Sequence, residues 1–147
     1  TSAGDRAATR LALVIPMGYM NLSGGPARAA APWFDVPVED IIVVHDEIDL
    51  PVGQLRVKRG GGNAGHNGLG DLDRALGSRE YLRVRIGAGR PLGRRAGRDH
   101  VLRRPSTRER EVLDIVLEHA ADAVESLATE GLAATQNRVN GLDVTAS

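Results

Sequence analysis

Apolar positions along this chain recur with the periods of both strands and helices. Residues 41–44 (IIVV) are apolar on both faces, which predicts a buried, central strand of a parallel sheet. Residues 81–87 alternate apolar residues with arginines, and this period of two predicts a strand with one basic face. Further strands are predicted at residues 54–59 and at residues 11–15, where Pro16 ends the apolar run.

The last third of the chain has the spacing of amphipathic helices. Ser106 and Glu109 form a capping-box pattern at the start of a long helix, and Gly131 is placed to end it. A shorter helix is predicted over residues 132–139, followed by a frayed tail from Asn140. The positions predicted to face the core are Val112, Ile115, Val116, Ala120, Ala123, Val124 and Leu127.

Strands and helices therefore alternate along the chain, which is typical of an α/β fold. Two more helices are predicted, one capped by Ser23 and continuing to Phe34, and one over residues 69–76. Neither a repeat nor a linker divides the sequence, so residues 1–147 are predicted to form one domain.

Composition limits the classes of protein to be considered. The 147 residues contain no cysteine, which excludes disulfides, thiolate nucleophiles and cysteine-ligated zinc. No apolar run reaches the ~18 residues of a membrane-spanning helix and no signal-peptide pattern is present, so we expect a soluble cytoplasmic protein. The first residue is Thr1 rather than Met, which suggests a processed or truncated start.

The formal net charge of +0 conceals a segregation of charge along the chain. Residues 54–110 contain 15 basic and 5 acidic residues, whereas residues 35–50 contain six acids and no base. The middle third is therefore a candidate surface for a polyanion such as a nucleic acid. An arginine-rich solvated face is the alternative that charge alone leaves open.

A glycine-rich loop at residues 60–68 (GGGNAGHNG) follows the basic strand at 54–59. Glycines allow backbone N–H groups to approach a ligand, and the next helix start offers further donors to an anion or a carbonyl oxygen. His66 and Asn67 are costly to place without partners, which favours a binding site over a plain structural turn. Neither the Lys-Ser/Thr of a P-loop nor the acid of a dinucleotide site follows, so a nucleotide-binding domain is the weaker interpretation.

Polar residues also follow the predicted strand at 41–44, where His45, Asp46 and Glu47 come near its carboxyl end. A metal site formed by these residues and Asp49 is an alternative, but consecutive strand residues point to opposite faces and do not converge on one ion. A serine hydrolase lacks support because no Gly-x-Ser-x-Gly is present.

Four segments together resemble bacterial peptidyl-tRNA hydrolase in their order and spacing: residues 20–24, 45–51, 58–68 and 83–87. Residues 136–138 (QNR) are also similar to that family. The resemblance implies an α/β domain with a twisted mixed sheet between helices. It further implies a cytoplasmic, monomeric enzyme that hydrolyses the ester between a peptide and the 3′ end of tRNA, with neither a metal nor an organic cofactor.

The resemblance also implies roles for individual residues. Asn21 and Asn67 would be substrate-holding amides, and Asp46 would orient and polarise a general-base histidine. Lys58 and Arg85 would bind the 5′-phosphate of tRNA, with Arg56 in support. The residues implied to contact tRNA or the peptide ester are Met20, Arg56, Lys58, Gly65, His66 and Arg85.

One motif of the family is not found. Its N-terminal segment supplies the base histidine within a Thr-Arg-His-Asn motif, whereas here Thr9 and Arg10 are followed by Leu11 and Ala12. We therefore expect an N-terminally truncated fold without the family's first strand and helix, and little or no hydrolase activity. The alternative function is a non-catalytic RNA-binding protein of the same fold.

The histidines that are present are interpreted differently. His45 and His66 are expected to be hydrogen-bonded supports of the cleft rather than the base. His119 is expected to be a packed or partly exposed helix residue, and nothing assigns a role to His100.

Overall fold

The computed structural model describes residues 10–14, 36–62, 67–89 and 106–145. For Asn67 the description is limited to the main chain. A 3₁₀ turn at Val38–Asp40 precedes the regular elements. The strands are β1 (Ile42–Glu47), β2 (Leu55–Arg59) and β3 (Leu82–Gly87), and the helices are α1 (Asn67–Leu76), α2 (Thr107–Thr129) and α3 (Leu132–Val139).

The three strands form one mixed sheet in the order β1-β3-β2. Leu82 N donates to Ile41 O, and Ala88 N donates to Glu47 O. The donor and acceptor residue numbers differ by the same amount in both bonds, so β1 and β3 are parallel. Gly60 N donates to Tyr81 O, and Gly87 N donates to Gln54 O. The donor and acceptor residue numbers add up to the same value in both bonds, so β2 and β3 are antiparallel. The α/β class and the mixed sheet are thus confirmed, although β3 rather than β1 is central among the described strands.

The chain divides into two compact units, the first of residues 1–43 and 59–82 and the second of residues 44–58 and 83–147. The core of the first unit contains Leu69 and Leu72 of α1 together with Tyr81. The Tyr81 hydroxyl donates to Asp73 Oδ1 at 2.6 Å, so the ring is buried while its polar end keeps a partner. Val38, Ile41, Val43 and Leu76 pack against this cluster.

In the second unit, α2 begins and ends where the sequence predicts. Ser106 Oγ accepts from the backbone N–H of Glu109 at 3.2 Å, and Gly131 follows the last turn with a φ of 92°. The buried face of α2 contains Val112, Val116 and Ala120 among others, but Ile115 is 45% exposed, so its predicted core position is wrong. None of the helices in the described ranges combines the length and apolarity needed to cross a bilayer.

The segment after α3 contacts the outer edge of β2. Asn140 Oδ1 accepts from Val57 N at 2.9 Å, and Asn140 Nδ2 donates to Val57 O at 3.3 Å. Asp143 forms an antiparallel bridge with Gln54, and Val144 N donates to Gly53 O at 2.9 Å. The predicted frayed tail is therefore wrong for residues 140–145, because backbone groups of Val57 in β2 and of Gly53 before it give this segment hydrogen-bond partners.

The predicted strand at residues 11–15 is not formed in its described part. Residues 10–14 have no strand pairing, and Leu13 is 86% exposed. An apolar run supplies a strand period but not a neighbouring strand. The predicted helix from Ser23 to Phe34 lies outside the described residues.

Candidate functional site

One face of the sheet in the second unit carries most of the polar side chains of its strands. Because side chains alternate along a strand, His45 and Glu47 share a face of β1, Arg83 and Arg85 share a face of β3, and Arg56 and Lys58 share a face of β2. Both arginines of β3 contact these residues of β1, so the β1 and β3 side chains lie on the same side of the sheet. We call Arg56, Lys58, Arg83 and Arg85 the four-cation face.

The strand register places like charges opposite each other on this face. The antiparallel pairing of β2 with β3 sets Lys58 opposite Arg83 and Arg56 opposite Arg85. Like charges directly across a sheet are destabilising unless a counter-charge is close. The register therefore places two pairs of like charges next to each other on this face.

Glu47 supplies the counter-charge. Its Oε1 accepts from Arg85 Nη2 at 3.0 Å and from Arg85 Nε at 3.2 Å, and it lies 3.8 Å from Arg83 Nη2. Glu47 is 5% exposed and Arg83 only 2% exposed. The predicted basic face of this strand is present, but the guanidinium of Arg83 is buried beside this carboxylate and is not part of a solvated surface.

His45 completes the buried network. Arg83 Nε donates to His45 Nε2 at 3.1 Å, and because the guanidinium is always a donor, this ring nitrogen accepts. The ring proton is therefore on Nδ1, which lies 2.7 Å from the carbonyl oxygen of Asp46. His45 is hydrogen-bonded, as predicted, and its partners include Arg83 and the backbone carbonyl of Asp46, while its role as a support of the cleft stays a prediction.

Lys58 is the cation of this face with the least compensation. Burial, followed by the charges of Arg83 and Arg85, lowers the pKa of Lys58 below its usual 10.5, and Glu47 opposes the shift. Its ammonium has no hydrogen bond or ion pair with any of the residues that the structure describes. An anion next to Lys58 would offset the repulsion from Arg83 and Arg85, which adds to the effect of burial on this pKa.

Arg56 makes mainly local contacts. Its Nη1 donates to Leu55 O at 2.9 Å and to Leu142 O at 3.5 Å, and its Nη2 donates to Gln54 Oε1 at 3.1 Å. These bonds fix its side chain against the segment that follows α3. Of the two cations that β2 contributes to this face, Arg56 is therefore more constrained than Lys58.

Asp46 lies within β1, and alternation directs its side chain to the face opposite His45 and Glu47. Asn67 is the first residue of α1 in the first unit. Asn21, Met20, Gly65 and His66 lie outside the described residues. The convergence of Asn21, Asp46 and Asn67 on one cleft stays a prediction.

Sequence reasoning placed Lys58 and Arg85 correctly on strands but missed the roles of Glu47 and Arg83. The available signal was the shared period of two in residues 45–47 and 83–85, which sets two acceptors on one strand against two arginines on the other. His119, as expected, is a partly exposed residue of α2. Across the described ranges, no three His, Asp or Glu side chains are grouped as metal ligands.

Comparison with known proteins identifies the family. The family model described as peptidyl-tRNA hydrolase matches residues 1–147. A peptidyl-tRNA hydrolase of Frankia casuarinae is 53% identical over 146 residues, covering 96% of this chain and 74% of the relative. That of Frankia alni is 52% identical over 136 residues, covering 92% of this chain and 69% of the relative.

A solved structure agrees in fold. The crystal structure of peptidyl-tRNA hydrolase from Acinetobacter baumannii matches with a TM-score of 0.79 at 33% identity. The match covers 87% of this chain and 65% of that chain. This chain thus spans slightly less than two thirds of that solved relative.

Proposed function

This chain belongs to the peptidyl-tRNA hydrolase family, and we propose that it binds peptidyl-tRNA and hydrolyses the ester between the peptide and the tRNA 3′ end. Water would add to the ester carbonyl, releasing the peptide acid and the 3′-hydroxyl of tRNA. The family resemblance supports action as a monomer in the cytoplasm.

The observation that carries this proposal is the excess positive charge of the four-cation face. Within the part of the chain that the structure describes, the carboxylate beside these four cationic side chains is that of Glu47, and His45 accepts from Arg83 without adding charge. A phosphate accepts charge-assisted hydrogen bonds from arginine and lysine and offsets their repulsion. We assign the tRNA 5′-phosphate to Lys58 and Arg85, with Arg56 at the border of the site.

The chemical step is proposed for Asp46, Asn21 and Asn67. Ester hydrolysis needs an activated water and hydrogen-bond donors for the developing oxyanion, and side-chain amides are suitable donors. A carboxylate fixes the tautomer of a general-base histidine and stabilises its protonated form, which is the role proposed for Asp46. Met20, Gly65 and His66 are proposed to contact the bound 3′ end.

A non-catalytic RNA-binding protein is the second candidate. The four-cation face favours it as well, since phosphate binding does not require the ester to be cleaved. The two functions differ in turnover and not in affinity, so the decisive measurement is release of peptide from bound tRNA.

The first experiment measures that release from N-acetylaminoacyl-tRNA labelled in its amino acid. We expect release above the spontaneous rate, its loss in Asp46→Asn, and tRNA affinity within about twofold of the unchanged chain in that variant. Arg85→Ala should instead weaken tRNA binding about tenfold, the value of one hydrogen bond to a charged group. Salt-sensitive tRNA binding without release would support the RNA-binding alternative and reject the hydrolase.

A second prediction concerns pH and Lys58. Because its pKa is lowered, the ammonium loses its proton below pH 10.5, and the affinity for a 5′-phosphate should fall as pH rises through that lowered pKa. A 2′-O-methyl acceptor-stem hairpin with a 5′-phosphate should bind about tenfold more weakly, because the phosphate loses one charged partner. Fluorescence anisotropy across alkaline pH checks it.

The control is Lys58→Arg, because arginine keeps its charge throughout this range. Its affinity should stay level with pH while circular dichroism shows both proteins folded. An equally steep decline in Lys58→Arg would mean that another group controls binding.

A further inference from the structure

We propose that Glu47 is a positioning residue of the phosphate site, which orients the Arg85 guanidinium so that its Nη1 side is presented to the anion. The inference rests on the proposed phosphate site and adds a residue to it. Its basis is the geometry of the carboxylate, the burial of the groups around it and the hydrogen-bonding capacity that Arg85 has left.

A pair of hydrogen bonds joins the side chains of Glu47 and Arg85. Glu47 Oε1 accepts from both Nε and Nη2 of Arg85, at 3.2 and 3.0 Å. Two neighbouring donors of a planar group that share one acceptor oxygen hold the Nε and Nη2 edge of the guanidinium toward that oxygen. The Nη1 group of Arg85 has no hydrogen bond to any part of the chain that the structure describes.

The two side chains of this pair differ in their exposure to solvent. The Glu47 side chain is 7% exposed and that of Arg85 is 19% exposed. The carboxylate is therefore removed from solvent, while the guanidinium retains an accessible part. A phosphate arriving from solution meets Arg85 and not Glu47.

Arg83 and His45 lie behind the Glu47 carboxylate and support it. Arg83 Nη2 lies 3.8 Å from Glu47 Oε1, and Arg83 is itself fixed by the bond from its Nε to His45 Nε2. Buried groups held by several partners lose little further freedom when a ligand binds. Glu47 thus places Arg85 before the anion arrives, and Arg83 and His45 support that placement.

Two substitutions separate placement from charge. Glu47→Asp keeps the negative charge but shortens the side chain by one methylene, so its oxygen no longer reaches both donors of Arg85. Glu47→Gln keeps the reach and one accepting oxygen but removes the charge. If Glu47 acts by placing Arg85, the aspartate variant should bind phosphate worse than the glutamine variant.

The readout is the ratio of dissociation constants for an acceptor-stem hairpin with a 5′-hydroxyl and the same hairpin with a 5′-phosphate. In the unchanged chain we expect a ratio of about ten or more, which Glu47→Asp should reduce at least about fivefold and Glu47→Gln less than about twofold. General loss of stability does not change this ratio in a folded sample. Glu118→Asp, an exposed residue of α2, is the matched control and should leave the ratio unchanged.

A double-mutant cycle shows whether Glu47 acts through Arg85. In an Arg85→Ala background, Glu47→Asp should cause no further change in the ratio. A ratio that is retained in Glu47→Asp, whatever its value in Glu47→Gln, overturns the inference but not the proposed phosphate site. A ratio near one in the unchanged chain overturns both the inference and the proposed phosphate site.

A measurement on the unchanged chain applies even if the variants do not fold. The ¹⁵N-edited signal of Arg85 Nε–H should remain protected from solvent exchange when the phosphorylated hairpin binds, because the bond to Glu47 persists. Loss of that protection on binding would mean that phosphate displaces Glu47, which contradicts the inference.

Discussion

Replacing Glu47 by leucine should destabilise the folded protein by about 3–5 kcal/mol, the cost of removing one partner from a buried ion pair. The substitution removes the carboxylate that lies 3.8 Å from Arg83, itself 2% exposed, and that accepts from Arg85 at 3.0 Å. A buried cation that loses its counter-charge retains the full cost of desolvation. Urea unfolding followed by circular dichroism measures the change as a lower midpoint at constant slope.

Two further variants set the scale for this result. Glu118→Leu replaces an exposed acid of α2 by leucine, as Glu47→Leu does for a buried one. It should change the free energy of unfolding by no more than about 0.5 kcal/mol. Glu47→Gln should lie between the two, because the amide oxygen still accepts from Arg85. A cost below about 1 kcal/mol for Glu47→Leu would show that the four-cation face does not depend on this carboxylate.

Replacing Gly87 by alanine is the second large perturbation, with an expected cost of about 3 kcal/mol from overpacking. A β-carbon at this position would overlap the carbonyl oxygen of Pro51, and it would lie 2.8 Å from Pro51 C and 3.1 Å from Gln54 O. These are main-chain atoms, and the bond from Gly87 N to Gln54 O at 3.0 Å keeps the two segments together. The end of β3 must therefore move, and thermal unfolding should show a lower midpoint.

Gly141→Ala is the control for the loss of glycine itself, because a β-carbon there meets nothing within 4 Å. It should leave the stability unchanged within about 0.5 kcal/mol. Since Arg85 is two residues before Gly87, the alanine variant should also lose preference for a 5′-phosphate. An unaltered midpoint in Gly87→Ala would mean that the chain between Pro51 and Gln54 yields easily.

Local signals in the sequence were sufficient for most of the regular elements. The β-branched run before His45 and the alternation around Val84 predicted β1 and β3, while Ser106 and Gly131 predicted both ends of α2. Each of these signals acts within a few residues of its effect. The apolar run at residues 11–14 failed because a strand also needs a neighbour, which periodicity does not supply.

The candidate site was only partly predictable for a related reason. Family motifs identified Lys58 and Arg85, but the contacts of Arg83 with His45 and of Arg85 with Glu47 join residues 38 positions apart. They depend on the register between β1 and β3, which no single segment specifies. Asn140 was missed similarly, since its partner Val57 is 83 residues away.

The bonds of Asn140 have a consequence for encounters between molecules. Its amide occupies the N–H and C=O of Val57, the groups through which a foreign peptide would add itself to β2. Gln136 Nε2 also donates to Val57 O, at 3.3 Å, so the carbonyl is engaged twice. The side chains of Asn140 and Gln136 thus block strand addition at Val57, and at high protein concentration a second molecule cannot pair with β2 through these two groups.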